Sequence, residues 1–272
     1  MPGNPAGAGA MHRAALGCLV GLVLVYLLFP VLVVVVMSFS SVSYLRFPPP
    51  GLSLRWYAKL LDTPAWVESF WVTVQVGSLT TALATLLGVP AAFALIRLPL
   101  RAKGAINGLL LMALITPAII KGLAIYLFYV PYGLVNSVVG LACAHAVSAL
   151  PYVVINVGAS LRGYDAGLER AAIVHGASPV GAILRITLPI IAPGILVGAV
   201  FAFLSSAQEL LVAIFVLGTV RKPLAVKMWE GVRVTVDPTL AAASTALIAL
   251  AVAAFAAAAL LQRRARRLYA FS

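Results

Sequence analysis

Charged residues are scarce in this sequence. Only 10% of its 272 residues are Asp, Glu, Lys or Arg, whereas 63% are hydrophobic. A soluble domain carries about a quarter charged residues, so this composition excludes an ordinary soluble protein and indicates a membrane protein. The net charge of +12 does not indicate nucleic-acid binding, because the basic residues lie mainly at the ends of apolar runs. At those positions they orient helices in a bilayer.

Residues that bind metals or form disulfides are also few. The two cysteines, Cys18 and Cys143, lie in separate apolar runs, and the three histidines are far apart in sequence. Neither set has the spacing of a zinc site, a haem site or a disulfide framework. The sequence also lacks the G-x-x-x-x-G-K-[ST] loop that holds nucleotide phosphates, and it shows no Ser–His–Asp set or carboxylate pair. We therefore predict no catalytic site, no metal and no cofactor in this chain.

The sequence is rich instead in long apolar runs. About 20 helical residues are needed to cross the hydrocarbon core of a bilayer. Six runs reach that length, and the predicted spans are 14–38, 67–96, 105–129, 134–159, 189–218 and 239–262. The predicted fold is therefore an all-α integral membrane protein with six transmembrane helices in a single domain.

Basic residues predict the sidedness of these helices. If the N-terminus is cytoplasmic, more lysines and arginines fall on the inner side than on the outer side. This distribution favours an N-terminus and a C-terminus that both lie in the cytoplasm. The basic tail RRARR at 263–267 is then either an ordinary membrane stop or a site for anionic lipid.

The loop at 162–188, between the fourth and fifth spans, contains several helix signals. Asp165 is placed to cap a first helix, and Gly176 suits the residue of positive φ that closes it. Ser178, followed by a proline, is typical of the start of a second helix. Pro189 marks the predicted entry into the fifth span. The loop is therefore predicted to be two short helices joined by a rigid turn.

Two roles for this loop follow from its residues. Ala171 and Ala172 are small enough for another surface to come close, and Glu169 and Arg170 can make charged contacts beside them. The loop is therefore either a knob that docks on a partner or an amphipathic hairpin that lies on the lipid headgroups.

The order Glu169-Arg170-Ala171-Ala172, then Gly176, then Ile186-Thr187-Leu188-Pro189 resembles the EAA loop of permeases from binding-protein-dependent ABC importers. Other segments, such as LPIIAPGILVGAVFAF and KMWEGVRVTVDPTLAA, are similar to the polyamine (spermidine/putrescine) branch of that family. The resemblance covers roughly residues 14–262. Arg170 is a departure, because many members have alanine there.

The resemblance implies a type I ABC importer permease fold in a bacterial inner membrane, with 162–188 as a coupling helix seated on an ATPase. The coupling residues implied are Glu169, Ala171, Ala172, Gly176, Ser178 and Pro189. It also implies two ATPase subunits that hold ATP and Mg, a second permease subunit and an extracytoplasmic solute-binding protein.

The function implied is a path for a small polar, amine-bearing solute of polyamine type. An amino acid, an aminophosphonate or another organic anion is the alternative solute. A secondary transporter or a channel that works without an ATPase is the alternative class. No internal repeat or selectivity sequence supports that class, and it leaves the coupling-type loop unexplained.

Two ionisable residues interrupt the predicted spans. Glu209 follows the polar residues Ser206 and Gln208 in the fifth span, and Lys121 lies in the third. Ionisable groups within a membrane are costly and usually face protein or water. We predict that Glu209, with Ser206, Gln208 and Lys121, lines the substrate path; the alternative for Glu209 is a tether between helices. Lys121 either extends to the outer surface or pairs with Glu209.

An outer segment at 221–237 combines basic, acidic and aromatic residues. We predict that Lys227, Trp229 and Glu230 help to dock the binding protein. The alternative is that the segment only covers its own helix bundle.

Overall fold

A computed structural model of the protein describes residues 5–99, 101–218, 221–234 and 236–269, without the side chains of 5–12, 14 and 264–269. Most of the basic tail that we predict to be a membrane stop thus lies outside the described side chains. Nearly all of the described chain is helical. The α-helices are α1 (Pro5–Met37), α2 (Arg55–Asp62), α3 (Pro64–Arg97), α4 (Lys103–Ile115), α5 (Ala118–Tyr129), α6 (Val138–Arg162), α7 (Ala166–Val174), α8 (Pro179–Ala182), α9 (Leu188–Gln208), α10 (Leu211–Leu217), α11 (Leu224–Val234) and α12 (Pro238–Tyr269).

The six predicted spans are present. Within the described residues, five helical segments are long and apolar enough to cross a membrane, and α4 with α5 passes the same test as one broken span. The outer limits differ from the prediction, because α1 begins at Pro5 and α12 continues to Tyr269. Apolar length marks only the part of a helix that crosses the hydrocarbon core, whereas the backbone hydrogen bonds continue into the polar residues beyond it.

The third predicted span, 105–129, is present as two helices with a break between them. The axes of α4 and α5 differ by 103°. The break lies at Thr116, whose backbone is extended with ψ 128°. The next residue, Pro117, explains this conformation, because a proline ring disfavours helical backbone at the preceding residue and supplies no N–H.

The fifth span begins before Pro189, the predicted point of entry. One candidate span runs over Pro179–Gln208, because α8 continues into α9 through a π-helical turn at Ile183–Thr187. A widened turn of this kind relieves the clash between a proline ring and the carbonyl one turn before it. The predicted second helix of the loop is therefore the start of the fifth span.

The fifth span also ends earlier than predicted. Helix α9 stops at Gln208, and Glu209 has an extended backbone with ψ 108° before α10 begins at Leu211. The predicted span at 189–218 is thus interrupted at its one acidic residue.

The contacts of the chain form two compact units, and the larger comprises the described parts of Thr63–Glu230 and Ala249–Ser272. Helices α3, α6 and α9 pack together at its centre. Small residues allow this: a Cβ added to Gly88 of α3 or Gly198 of α9 would lie within 3.0 Å of Val153 on α6. Close backbone approach of this kind is the usual basis of helix packing in membranes.

The smaller unit comprises the described parts of Met1–Asp62 and Gly231–Ile248. Trp56 of α2 donates from Nε1 to the carbonyl oxygen of Ser40 at 2.7 Å. Lys59 of the same helix forms a 2.7 Å ion pair with Asp237, which precedes α12. These contacts attach the short helix α2 to the segment that precedes it and to the residue before α12.

Candidate functional site

The turn between α7 and α8 has the local geometry that the sequence predicts. Asp165 caps α7 by accepting from the N–H of Gly167 at 2.7 Å, and Ser178 caps α8 by accepting from the N–H of Gly181 at 3.1 Å. Gly176 has φ +92°. The N–H of Ala177 donates back to the carbonyl oxygen of Ala172 at 3.0 Å. The turn is therefore held by its own backbone and caps.

Glu169 attaches this loop to the helix bundle. Its carboxylate forms a 2.8 Å ion pair with Arg97, the last residue of α3. Its Oε2 also accepts from the hydroxyl of Thr187, just before α9, at 2.7 Å. The hydroxyls of Thr187 and Tyr164 are hydrogen-bonded at 3.1 Å. One carboxylate thus joins α7 to the end of α3 and to the start of α9.

The electrostatics of this contact favour a charged Glu169. Burial alone would raise the pKa of Glu169. The hydrogen bonds from Thr187 and Arg97, together with the positive charge of Arg97, outweigh burial and hold the pKa of Glu169 below its ordinary value. The carboxylate is therefore ionised at neutral pH and its ion pair is intact.

The other residues that we predict to couple the loop to an ATPase lie among exposed apolar side chains. Ala171, Gly176 and Ser178 are exposed, whereas Ala172 and Pro189 are half-buried. Large apolar side chains accompany them, and Val174 is 84% exposed. Further exposed apolar residues of the loop are Leu168, Ile173 and Val180. We name this surface, Leu168, Ala171, Ile173, Val174 and Val180, the loop patch.

The two broken spans meet at Glu209 and Lys121. Glu209 Oε2 lies 4.0 Å from the Nζ of Lys121, and these side chains are only 17% and 12% exposed. Glu209 Oε1 also accepts from the N–H of Val212 at 3.4 Å, which caps the start of α10. A carboxylate at a helix N-terminus is favoured by the helix dipole.

Lys121 joins three helices at this point. Its ammonium donates to the hydroxyl of Ser148 on α6 at 2.6 Å. It also donates at 3.5 Å to the carbonyl oxygen of Ala113, in the last turn of α4. The side chain therefore pairs with Glu209 instead of extending to the outer surface.

Ser206 and Gln208 do not join this pair. Ser206 of α9 is 5% exposed and contacts α3 and α6, with its Oγ 2.9 Å from Nδ1 of His145. The same hydroxyl donates to Thr80 at 3.3 Å. Gln208 is exposed. The polar stretch that the sequence shows as one patch thus faces three different surroundings.

Helix α11 lies at the end of α3 opposite to the loop. The N–H of Leu224 donates to Thr73 Oγ1 at 2.7 Å, and Leu224 itself is 1% exposed. Lys222 and Glu230 form a 2.6 Å ion pair. The ammonium of Lys227 lies 5.9 Å from the centre of the Trp66 ring, and Trp229 is 40% exposed.

Sequence reasoning missed Arg97, Thr187 and His145 as members of these groups. Arg97 is separated from Glu169 by 72 residues, and His145 from Ser206 by 61. A pattern of neighbouring residues in the sequence cannot identify contacts between residues so far apart. In the described part of the chain, no three His, Cys, Asp or Glu side chains are grouped as a metal site would require.

Known proteins resemble this chain over most of its length. The spermidine/putrescine transport system permease protein PotC of Haemophilus influenzae is 28% identical over 228 residues, which cover 84% of this chain and 88% of that protein. The putrescine transport system permease protein PotI of Escherichia coli K12 is 31% identical over 232 residues, 82% of each chain.

The fold is shared with a solved transporter. The crystal structure of a bacterial ABC transporter involved in the import of the acidic polysaccharide alginate aligns with a TM-score of 0.71. The alignment covers 97% of this chain and 99% of that one, at 17% sequence identity. At this identity the likeness shows the fold alone.

The family described as binding-protein-dependent transport system inner membrane component matches residues 84–267. This range is well over half of the chain, and it includes the loop, the Glu209–Lys121 pair and α11. The chain therefore belongs to the family of inner membrane components of binding-protein-dependent transport systems.

Proposed function

We propose that this chain is the permease subunit of an ABC importer that carries a small amine-bearing solute of polyamine type. The names of the two permeases that resemble it support the solute class. The observation that carries the proposal is the carboxylate of Glu209, at the junction of two broken spans. Interrupted helices within a membrane are where transporters place their substrate sites.

In this proposal Lys121 occupies the place of the solute amine. Its ammonium lies 4.0 Å from Glu209 and donates to Ser148. A primary ammonium group of the solute has the same charge and the same donors. The solute would displace Lys121 from Glu209 as it passes, so that the carboxylate always has a cationic partner.

The loop patch is the surface that we assign to a cytoplasmic ATPase subunit. Exposed Val174 and its apolar neighbours lie on a turn that is fixed by caps and by positive φ at Gly176. An exposed apolar surface on a rigid turn is more stable in a groove of a partner protein than in water. Glu169 connects the knob to α3 and to the start of α9. Movement of an ATPase would therefore act directly on the helices that carry the substrate path.

The family supports a proposal for the remaining partners. We propose two ATPase subunits that bind ATP and Mg, and a second permease subunit beside this one. Helix α11 with Lys227, Trp229 and Glu230 would receive the solute-binding protein on the outer face. Its buried Leu224 holds it on the bundle, so that it also covers this end of the helices.

Cross-linking tests the assignment of α11. Lys227→Cys, in a background with Cys18→Ser and Cys143→Ser, should cross-link to the binding protein during turnover. Lys103→Cys, at the other end of the bundle, is the matched control. If Lys227→Cys gives no more product than this control, α11 only covers its own bundle.

A second solute class is favoured by one observation. Lys121 brings a positive charge to within 4.0 Å of Glu209, which leaves this region without net negative charge from the pair. A zwitterion or an organic anion, such as an amino acid or an aminophosphonate, would bind to Lys121 in such a site. The two classes differ in which of these two residues is required.

Uptake into proteoliposomes that contain the full complex tests the amine proposal. Because a hydrogen bond to a charged group contributes about 1.5–3 kcal/mol, Glu209→Gln should lower polyamine uptake by about 10- to 100-fold. Glu209→Asp should retain part of the activity. Glu68→Gln is a matched control, because Glu68 is 59% exposed. If Glu209→Gln transports polyamines as well as the wild type, Glu209 is a structural tether.

A further inference from the structure

A cavity of about 430 Å³ lies between α3, α4 and α6. Its polar lining residues are Lys103 at the start of α4, Asn107 one turn later and Arg162 at the end of α6. All three lie at the end of the bundle that carries the coupling loop, which is cytoplasmic in the predicted orientation. The cavity is separate from the Glu209–Lys121 pair.

The charge at this cavity is positive and unopposed. Among the described carboxylates, none forms an ion pair with Lys103 or Arg162. Among the described residues, Lys103 donates one long bond, 3.5 Å, to the carbonyl oxygen of Ile96. It is also the first residue of α4, whose cap Ala102 provides no side-chain bond, so the positive end of the helix dipole lies there too. These features favour an anion and disfavour an amine-bearing solute.

The rest of the lining is apolar. It consists of Ala92, Leu95, Ile96, Val154, Ile155 and Gly158. Helix α4 itself has no buried residue, so this side of the bundle is loosely filled. An anion that carries a hydrocarbon chain satisfies both parts of the cavity, whereas a free inorganic anion satisfies only the polar end.

We propose that this cavity binds an anionic glycerophospholipid. The phosphate group lies against Lys103, Arg162 and Asn107, and one acyl chain lies along Ile155 and Val154. Basic pockets between helices at the cytoplasmic side of a membrane suit such headgroups, where cations and the anionic leaflet meet. The lipid fills the space between α4 and the α3–α6 pair.

Native mass spectrometry of the assembled complex tests this proposal. The complex is titrated with phosphatidylglycerol and, separately, with phosphatidylcholine of the same acyl chains. We expect the wild type to retain phosphatidylglycerol preferentially. Because each lysine or arginine near an anionic headgroup changes affinity by about fivefold, Lys103→Gln with Arg162→Gln should weaken phosphatidylglycerol binding by about 25-fold. Arg101→Gln, an exposed neighbour outside the cavity, is the matched control and should bind like the wild type.

A second variant keeps the test valid if the double variant does not assemble. Gly158 lines the cavity between Ile96 and Arg162, and Gly158→Leu fills that space while both cations are retained. It should also lower the retention of phosphatidylglycerol.

Three results would overturn the proposal. The first is equal retention of the two lipids by the wild type. The second is complete displacement of phosphatidylglycerol by inorganic phosphate, which would show an anion site without chain recognition. The third is efficient cross-linking of Asn107→Cys to the second permease with no lipid bound, which would show that a protein occupies the cavity.

Discussion

Glu169 illustrates how a single residue can serve a role that its sequence context does not show. Its position in a cytoplasmic loop suggests a contact with a partner. In the structure its carboxylate is directed to Arg97 and Thr187 of the same chain. A substitution there would release the loop from α3 and would disturb the proposed ATPase contact only indirectly.

The lowered pKa of Glu169 predicts a pH dependence. Because the pKa is lower in the folded protein than its ordinary value of 4.5, the ion pair stabilises the folded loop at pH values above the unfolded pKa. This stabilisation is lost as the pH falls through the folded pKa. The pair is partly exposed, so the contribution is about 1 kcal/mol. Hydrogen exchange of the amides in 163–178 should therefore lose protection locally below about pH 4.5.

Glu169→Gln is the comparison for this measurement. It should show weak loop protection at neutral pH and no further local step in acid. The pKa of Asp237, which pairs with Lys59, is also lowered. Hydrogen exchange near that pair is measured on different amides from those of 163–178, so the two effects are distinguished. Equal protection of the loop in wild type and variant at neutral pH would show that Glu169 does not hold it.

The residues that sequence reasoning placed correctly act through their nearest neighbours. Asp165 and Ser178 accept hydrogen bonds from residues two or three positions further along the chain, and Gly176 has a positive φ. Local sequence is therefore sufficient to identify them. Arg97, Thr187 and His145 depend on packing between helices. The partner of Lys121 was left open for the same reason, since the alternatives differ only in tertiary structure.

Two of the predicted spans contain a break in the helical backbone, at Thr116 and at Glu209. Hydrophobic length identifies all six spans, yet it does not show where the backbone hydrogen bonds stop. The break at Thr116 has a local cause in Pro117. The break at Glu209 has no proline, and its extended residue coincides with the contacts to Lys121 and Val212. Only the first could be inferred from the sequence.

The turn between α7 and α8 gives a prediction at the scale of an element. Gly176 has φ +92°, and a Cβ added there would have no other atom within 4 Å, so backbone strain alone decides the outcome. Gly176→Val should cost about 1–3 kcal/mol locally and should abolish ATP-driven uptake while the protein still inserts in the membrane. Gly176→Asn is the matched control, since asparagine tolerates positive φ far better than valine.

Uptake assays with both variants, together with co-purification of the ATPase, check this prediction. The expected order is wild type, then asparagine, then valine, for both ATPase recovery and transport. If Gly176→Val recovers the ATPase and transports solute as well as the wild type, the loop has no role in coupling.

Across the whole chain, α3 connects the two proposed docking surfaces. Its 34 residues correspond to about 50 Å of helix. Arg97 at one end holds the loop through Glu169, and Thr73 near the other end holds α11 through Leu224. The packed centre of α3, α6 and α9 lies between them. Signals from an ATPase and from a loaded binding protein would therefore meet in one helix bundle.

The central claim is that this chain forms the path of an ATP-driven importer for polyamine-type amines. The most direct measurement is the ATPase activity of the complete complex in proteoliposomes, with its binding protein and a panel of solutes. We predict that spermidine or putrescine raises the activity in the wild type and does so poorly in Glu209→Gln. Stimulation by an amino acid or an organic anion, with none by polyamines, would contradict the claim.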